Sequence, residues 1–181
     1  MREVEVKFRV LDLDALLAAL SSHDVDLGES VVQEDQAYAP VGWEYGQSRI
    51  GVSFARLRTV AGRHVFTVKR PAENVLSCEE HESSVADREE MHRALLAMGF
   101  RATQRIRKSR RCGTALAGEV SVCVDEVDGL GVFLELERMA PDGLPGDVVQ
   151  AGLAEFAASL GIEAERVEDT YDALIRAVTS A

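Results

Sequence analysis

Three short segments of the sequence place two glutamates with a single residue between them. The pairs are Glu3 and Glu5, Glu80 and Glu82, and Glu135 and Glu137. Residues i and i+2 of a β-strand lie on the same face, so each pair would present two carboxylates side by side. Carboxylate oxygens are preferred ligands of Mg2+ and Mn2+, so this spacing indicates a divalent-metal site.

Basic side chains show the same two-residue spacing. They are Arg56 with Arg58, Lys108 with Arg110, and Lys69 two residues after Thr67. For any one strand, the simplest explanation is a solvated face. Two features argue against it, because paired glutamates repel each other and because arginine is suited to bidentate binding of phosphate oxygens. If the strands close into a barrel, acids and bases meet inside it and form a polyphosphate pocket with metal.

Period-2 alternation predicts a strand over residues 2–10, and a helix follows it from Asp12, the predicted N-cap. Two further helices are predicted after Asp87 and between Pro145 and Gly161, and a short helix in VEDTYDALIRAV closes the chain. The other strands are predicted in VSFARLRTV, RHVFTVKRP, LSCEEHESSV, RATQRIRKSRRC, GEVSVCVDEV and VFLELERM, for a total near eight. Each glutamate pair precedes a helix, which indicates a weak internal repeat.

Composition bounds the class of protein. A chain of 181 residues predicts a single domain over 1–181. Its formal charge of −11 argues against a general nucleic-acid or anionic-membrane surface. No apolar run approaches the roughly 18 residues of a membrane span, so we expect a cytoplasmic protein, with a homodimer left open. The three cysteines lack metal-ligand spacing, so we expect neither a structural disulfide nor a zinc site.

Taken in order, these segments resemble the CYTH, or triphosphate tunnel, family, which includes class IV adenylyl cyclases, thiamine triphosphatases and inorganic triphosphatases. The matching segments are EVEVK (3–7), RLR (56–58), KRP (69–71), EHE (80–82), KSR (108–110), DEVDGLGVFLELE (125–137) and TY (170–171). The resemblance covers nearly the whole chain. It implies an α+β fold, a closed antiparallel eight-stranded β tunnel with helices packed outside.

The resemblance also implies residue roles and a cofactor, Mg2+ or Mn2+. The implied metal ligands are Glu3, Glu5, Glu82, Asp125, Glu135 and Glu137, with Glu80 a further candidate. The implied triphosphate-binding residues are Lys7, Arg56, Arg58, Lys69, Lys108 and Arg110. Lys69 and Arg58 are the implied catalytic residues. Arg9 has no assigned role.

The implied reaction has three alternatives. The segments look most like class IV adenylyl cyclases, in which the 3′-hydroxyl of ATP attacks the α-phosphorus and pyrophosphate leaves. The second is a triphosphatase acting on tripolyphosphate or thiamine triphosphate, and the third is a sensor that binds triphosphate without turnover. The chain has KRP at 69–71 where those cyclases tend to have Lys-Gly-Pro, and residues 39–54 have no match. There, Trp43 and Tyr45 could stack on a base, although packing is the more common use of such residues.

Overall fold

The computed structural model describes residues 2–141 and 143–179, which form nine strands and four α-helices. The strands are β1 (Arg2–Val10), β2 (Val31–Pro40), β3 (Phe54–Val60), β4 (Arg63–Pro71), β5 (Ser77–Val85), β6 (Phe100–Ala115), β7 (Val120–Val127), β8 (Gly131–Ala140) and β9 (Ala164–Val167). The helices are α1 (Leu13–Ser22), α2 (Arg88–Ala97), α3 (Gly146–Ser159) and α4 (Tyr171–Thr179).

The helix starts follow the predicted caps. Asp12 accepts a hydrogen bond from the Ala15 amide at the start of α1, and Asp87 accepts from the Glu89 and Glu90 amides at the start of α2. A side-chain oxygen at this position satisfies amides that have no partner within the helix. The predicted repeat is also confirmed, because β1, β5 and β8 are each followed by a helix.

Strand pairing confirms the predicted fold class. The hydrogen-bonded order is β5-β4-β3-β2-β6-β7-β8-β1-β9, and a further pairing of β5 with β1 closes a ring of eight strands. The fold is α+β, a closed antiparallel eight-stranded β-barrel with four helices and one extra strand, β9. Two strands were not predicted, β2 and β9, and α4 begins at Tyr171, later than the predicted helix.

The chain divides into two compact units. The first runs up to Val31 and continues with Ser109–Glu168. Its core packs one face of the strands against α1 and α3. The fully buried members are Val4 and Val6 of β1, Leu16 of α1, Val122 of β7, and Leu134, Leu136 and Ala140 of β8. The alternating glutamates of β1 and β8 therefore lie on the opposite face of these strands, as predicted.

The second unit comprises Val32–Lys108 and the chain from Asp169 onward. Its core joins Tyr38 of β2, Leu57 of β3 and Leu95 of α2, and the last two are fully buried. Leu57 lies between Arg56 and Arg58 along β3, so both arginines lie on the face away from this core.

A disulfide joins Cys112 of β6 to Cys123 of β7, within the first unit, so the expectation of no structural disulfide was wrong. The two residues are 11 positions apart in sequence, and their Cα atoms are 4.3 Å apart because they face each other across the β6–β7 turn. Cys78 is a buried thiol outside this disulfide, and it donates a hydrogen bond to the carbonyl oxygen of Val75.

Among the described residues, no helix combines the length and the apolar character that crossing a membrane would require.

Candidate active-site residues

Three glutamates of the first unit come together on adjacent strands. Glu5 of β1 is directly opposite Glu137 of β8 in the strand register. One carboxylate oxygen from each of Glu3, Glu5 and Glu137 can be chosen so that all three lie within 4.8 Å of one another. We call these residues the acidic triad. The pairing of β1 with β8 brings together residues more than 130 positions apart in the sequence. Both members of the predicted pair Glu3/Glu5 belong to the triad, but only Glu137 of the pair Glu135/Glu137 does.

The crowding of negative charge shows in the acid strength of Glu137. Burial is the largest cause that raises the pKa of this carboxyl to about 8, followed by the charge of Glu135. Glu5 and Glu3 raise the pKa further, and the guanidinium of Arg110 opposes them. A like charge disfavours ionisation, whereas a nearby cation favours it.

The remaining acids of this unit's site are paired with cations. Asp125 is fully buried, and its two oxygens accept hydrogen bonds of 2.6 Å each from Nε and Nη2 of Arg110. Glu135 is also buried and accepts from Nη2 of the same arginine. On its other side, Glu135 lies 3.2 Å from Nζ of Lys7, which is itself 3.5 Å from Glu5. Predicted metal ligands and predicted phosphate ligands thus form one buried ion-pair network.

In the second unit, Arg56 and Lys69 lie beside the glutamate pair of β5, Glu80 and Glu82. Nη2 of Arg56 donates to Thr67 and to Glu82, each at 3.0 Å, and lies 3.6 Å from Glu80. Nζ of Lys69 lies 2.6 Å from Oε2 of Glu80. The Nε–H of Arg56 is buried and has no hydrogen-bond partner among the described residues, which leaves one donor for a ligand.

Arg58 is held by an aspartate that sequence reasoning missed. Its Nε and Nη2 donate to the two oxygens of Asp35 at 2.8 Å each, in a bidentate pair between β3 and β2. Burial raises the pKa of Asp35, but the hydrogen bond and charge of Arg58 outweigh burial, and the net pKa is lowered from 3.8. Asp35 was missed because β2 was not predicted. The segment VVQEDQAYAP does not alternate apolar with polar residues, so the sequence carried no strand signal there.

Lys108 of the second unit is 3% exposed and lies against an aromatic ring. Its Nζ is 4.9 Å from the ring centroid of Tyr171, at the start of α4, where a cation–π contact stabilises the ammonium. Tyr171 belongs to the late TY segment of the predicted resemblance, but the sequence assigned it no role.

Trp43 lies in a small packed cluster with Ala39 and Phe54. Trp43 is 7% exposed and contacts Tyr45 and Phe54 edge-on, with ring centroids 5.1 and 4.8 Å away. The guanidinium of Arg49 covers the Trp43 ring at 5.2 Å. The packing interpretation of Trp43 is therefore confirmed.

The glutamate and arginine segments follow one another in the order expected from the resemblance. A comparison with models of known protein families shows which family the chain belongs to. The CYTH domain model matches residues 1–171. The chain belongs to the CYTH domain family. The matched region of this CYTH chain includes every predicted site residue.

Two relatives of this CYTH chain carry cyclase names. A protein of Methanocaldococcus jannaschii, named provisionally as an adenylate cyclase, is 27% identical over 169 residues, covering 92% of this chain and 94% of the relative. The adenylate cyclase CyaB of Aeromonas hydrophila is 27% identical over 168 residues, covering 92% of this chain and 84% of the relative.

Solved structures share the fold at lower identity. A Pyrococcus horikoshii protein superposes with a TM-score of 0.80 at 21% identity, covering 97% of this chain and 99% of the other. A Hippeastrum protein, named provisionally as an adenylyl cyclase, superposes with a TM-score of 0.68 at 17% identity, covering 98% and 96%. That protein is described as having a dominant triphosphatase activity.

The acidic triad of this CYTH chain fits a divalent metal. All three donors are carboxylates, which hard cations such as Mg2+ and Mn2+ prefer over nitrogen or sulfur ligands. Burial and the charges of neighbouring glutamates raise the pKa of Glu137, and a bound cation would favour its ionised form.

Proposed function

We propose that this CYTH protein is a metal-dependent enzyme that acts on a nucleoside triphosphate, and that it is most like a class IV adenylyl cyclase. The observation that carries the proposal is the acidic triad, three carboxylates of β1 and β8 with oxygens within 4.8 Å of one another. Both cyclase-named relatives align over 92% of the chain, which supports the choice of ATP as substrate.

The proposal gives the residues separate tasks. The triad would hold Mg2+ or Mn2+, which supplies positive charge to neutralise phosphate oxygens during transfer. Arg56, Lys69 and Lys108 would bind the oxygens of the triphosphate. The Nε–H of Arg56 has no acceptor within the described part of the chain and could donate to one of them. The Lys69 side chain is 30% exposed, so a phosphate can reach its ammonium and compete with Glu80 for it.

In the proposed reaction, the 3′-oxygen of ATP forms a bond to the α-phosphorus. The bond from that phosphorus to the bridging oxygen of pyrophosphate breaks, and the hydroxyl proton passes to solvent. Positioning and charge neutralisation supply most of the catalysis in such transfers. Lys69 and Arg58 remain the proposed catalytic residues, and Asp35 holds the guanidinium plane of Arg58 by two hydrogen bonds.

A product assay tests the proposal. Purified protein is incubated with ATP and either Mg2+ or Mn2+, and cyclic AMP and pyrophosphate are measured by chromatography. We expect both products in equal amounts from the wild type and neither from Glu5→Ala. Absence of the cyclic product from the wild type would refute the cyclase assignment.

A triphosphatase is the second candidate, and the packing of Trp43 favours it. Trp43, one of the two aromatics that the sequence offered for stacking on a base, packs against Phe54 and lies under the guanidinium of Arg49. A triphosphatase for tripolyphosphate needs no base contact. The Hippeastrum protein described above shows that a cyclase name and triphosphatase activity coexist on this fold. Release of orthophosphate from tripolyphosphate under the same conditions, without cyclic product from ATP, would identify this activity.

A further inference from the structure

The buried guanidinium of Arg110 is committed to acids of its own unit. Nε and Nη2 donate to the two oxygens of Asp125, and Nη2 also donates to Glu135. Nη1 remains, and it lies 3.7 Å from Oε1 of Glu137, a member of the acidic triad. The side chain of Arg110 is 11% exposed and that of Asp125 is 0% exposed, so the ion pair between them is not a solvated surface contact.

This geometry divides the acids of the site into two groups. Glu135 and Asp125 are neutralised by Arg110, with help for Glu135 from Lys7. Glu3, Glu5 and Glu137 keep their oxygens close enough to share one cation. Arg110 contacts one acid from each group. Its guanidinium donates directly to Glu135, and its Nη1 lies just beyond hydrogen-bond distance of Glu137.

We infer that Asp125 and Arg110 are a positioning pair for the acidic triad, and that neither residue binds the metal or the triphosphate. This inference rests on the proposed function. Asp125 fixes the guanidinium by a bidentate contact, so that Arg110 orients Glu135 and leaves Glu137 to the cation. Residues that orient metal ligands through hydrogen bonds commonly control metal affinity as strongly as they control ligand position.

Changing Asp125 alone and changing it together with Arg110 have different expected effects on metal affinity. In Asp125→Asn, the guanidinium loses one of its two anionic hydrogen-bond partners, turns toward Glu137 and competes with the metal for its carboxylate. In the double variant Arg110→Gln with Asp125→Asn, the competing charge is gone and two neutral amides occupy the site. Metal affinity is therefore lost in the single variant and restored in the double variant.

The experiment is a calorimetric titration of each purified protein with Mn2+, followed by a titration with tripolyphosphate at saturating Mn2+. Asp125→Asn is expected to weaken Mn2+ binding about 10- to 100-fold, the usual effect of removing a residue that orients a metal ligand. The double variant is expected to bind both ligands within about threefold of the wild type, a difference of under 1 kcal/mol. Arg111→Gln and Glu126→Gln are the controls, since both residues are exposed on the same two strands.

Each alternative role gives a different result. If Asp125 were a metal ligand, the double variant would bind Mn2+ as weakly as Asp125→Asn. If Arg110 gripped the triphosphate, the double variant would bind Mn2+ normally and lose tripolyphosphate affinity. Either result overturns the inference while leaving the proposed function intact. A wild type that binds neither ligand overturns both.

The double variant also protects the test against misfolding. Leaving one buried charge without its partner strongly destabilises a folded protein, so a single variant can unfold. Replacing both charges removes that penalty, and the two titrations of the double variant alone decide between the three roles. Its melting temperature is measured first, and a cooperative transition establishes that it folds.

Discussion

Residues of one chemical type have different roles in this protein, and their neighbours decide which. Glu5 and Glu135 lie on adjacent strands and both are acids near Lys7. Glu5 shares its carboxylate with the acidic triad, whereas Glu135 is neutralised by Lys7 and Arg110. The same contrast holds among the arginines. Two guanidinium nitrogens of Arg58 donate to Asp35, whereas the Nε–H of Arg56 has no acceptor among the described residues.

Replacing one member of the triad tests its role as a metal site. We expect Glu5→Ala to weaken Mn2+ binding at least about tenfold and to abolish turnover, because one of three carboxylate donors is lost. The melting temperature is expected to stay equal to or above that of the wild type, since removing a like charge relieves repulsion. Calorimetric titration and thermal unfolding measure the two effects.

The matched control for this variant is Glu126→Ala, an exposed glutamate of β7. It removes the same charge from the same unit but lies outside the triad. Equal loss of Mn2+ affinity in both variants would mean that net charge, and no specific site, attracts the metal.

The pair of Asp35 with Arg58 predicts a pH dependence of stability. The pKa of Asp35 is lowered in the folded state, so its stabilising effect is complete above the unfolded value near 3.8 and is lost as the pH falls through the lower folded value. We expect Asp35→Asn to lower the free energy of unfolding by about 2 kcal/mol at pH 7, a usual value for a charge-assisted hydrogen bond. Urea unfolding at a series of pH values is the measurement.

The difference between wild type and Asp35→Asn is expected to shrink as the pH falls below about 4, the region where the aspartate protonates. Glu34→Gln on the same strand is the control, because its ion pair with Arg107 is exposed and contributes little. A difference that stays constant down to the most acidic pH would show that the Asp35 charge does not stabilise the fold.

At the level of elements, the structure adds a covalent link and a strand. The disulfide between Cys112 and Cys123 joins β6 to β7 next to the pair of Arg110 with Asp125, which lie two residues away on each strand. Strand β2 contributes Asp35 to the second unit and pairs with β3, with Asp35 directly opposite Arg58. These elements hold the two bidentate arginines in place.

Reduction of the disulfide is expected to destabilise the protein. A link that closes a loop of 11 residues restricts the unfolded chain, and such loops contribute about 3 kcal/mol in the chain-entropy treatment. We expect a dithiol reductant to lower the melting temperature of the wild type. The double variant Cys112→Ala with Cys123→Ala serves as the control, since the reductant has no bond to break there. An unchanged wild-type melting temperature would show that the disulfide does not form in solution.

At the level of the whole molecule, a protein with a net negative charge is proposed to bind a negatively charged substrate. The formal charge is −11, so long-range attraction does not favour a triphosphate. Binding must depend on local cations and on metal held by the triad. The metal is therefore expected to be required for substrate binding as well as for turnover.

Thermal stabilisation by ligands tests that requirement. We expect Mn2+ and tripolyphosphate together to raise the melting temperature more than the sum of their separate effects, because the metal neutralises the triad and the phosphate. A ligand at about 100 times its dissociation constant stabilises by about 2.7 kcal/mol, which a thermal shift readily detects. Addition of a chelator is expected to reverse the joint effect. Strong stabilisation without any product from ATP or tripolyphosphate would favour the sensor.

Much of the fold could be predicted because local patterns carry it. Alternation identified β1 and the strands that carry Arg56, Lys69 and Lys108, and the acids Asp12 and Asp87 marked two helix starts. Strand β2 escaped because its face with Gln33, Asp35 and Ala37 has no apolar periodicity. The disulfide escaped because odd, widely spaced cysteines give no pairing signal.

The sequence by itself determined which face of a strand each charged residue takes, because successive side chains of a strand point to opposite sides. That was enough to predict clustered carboxylates, and the resemblance of the ordered segments to the CYTH family predicted the fold. Only the tertiary structure decided the partners: Glu5 lies opposite Glu137 and Lys7 opposite Glu135 because β1 pairs with β8 in that register. A shift of one residue would turn every side chain to the other face, so register, which local sequence does not encode, separates the triad from the acids that Arg110 neutralises.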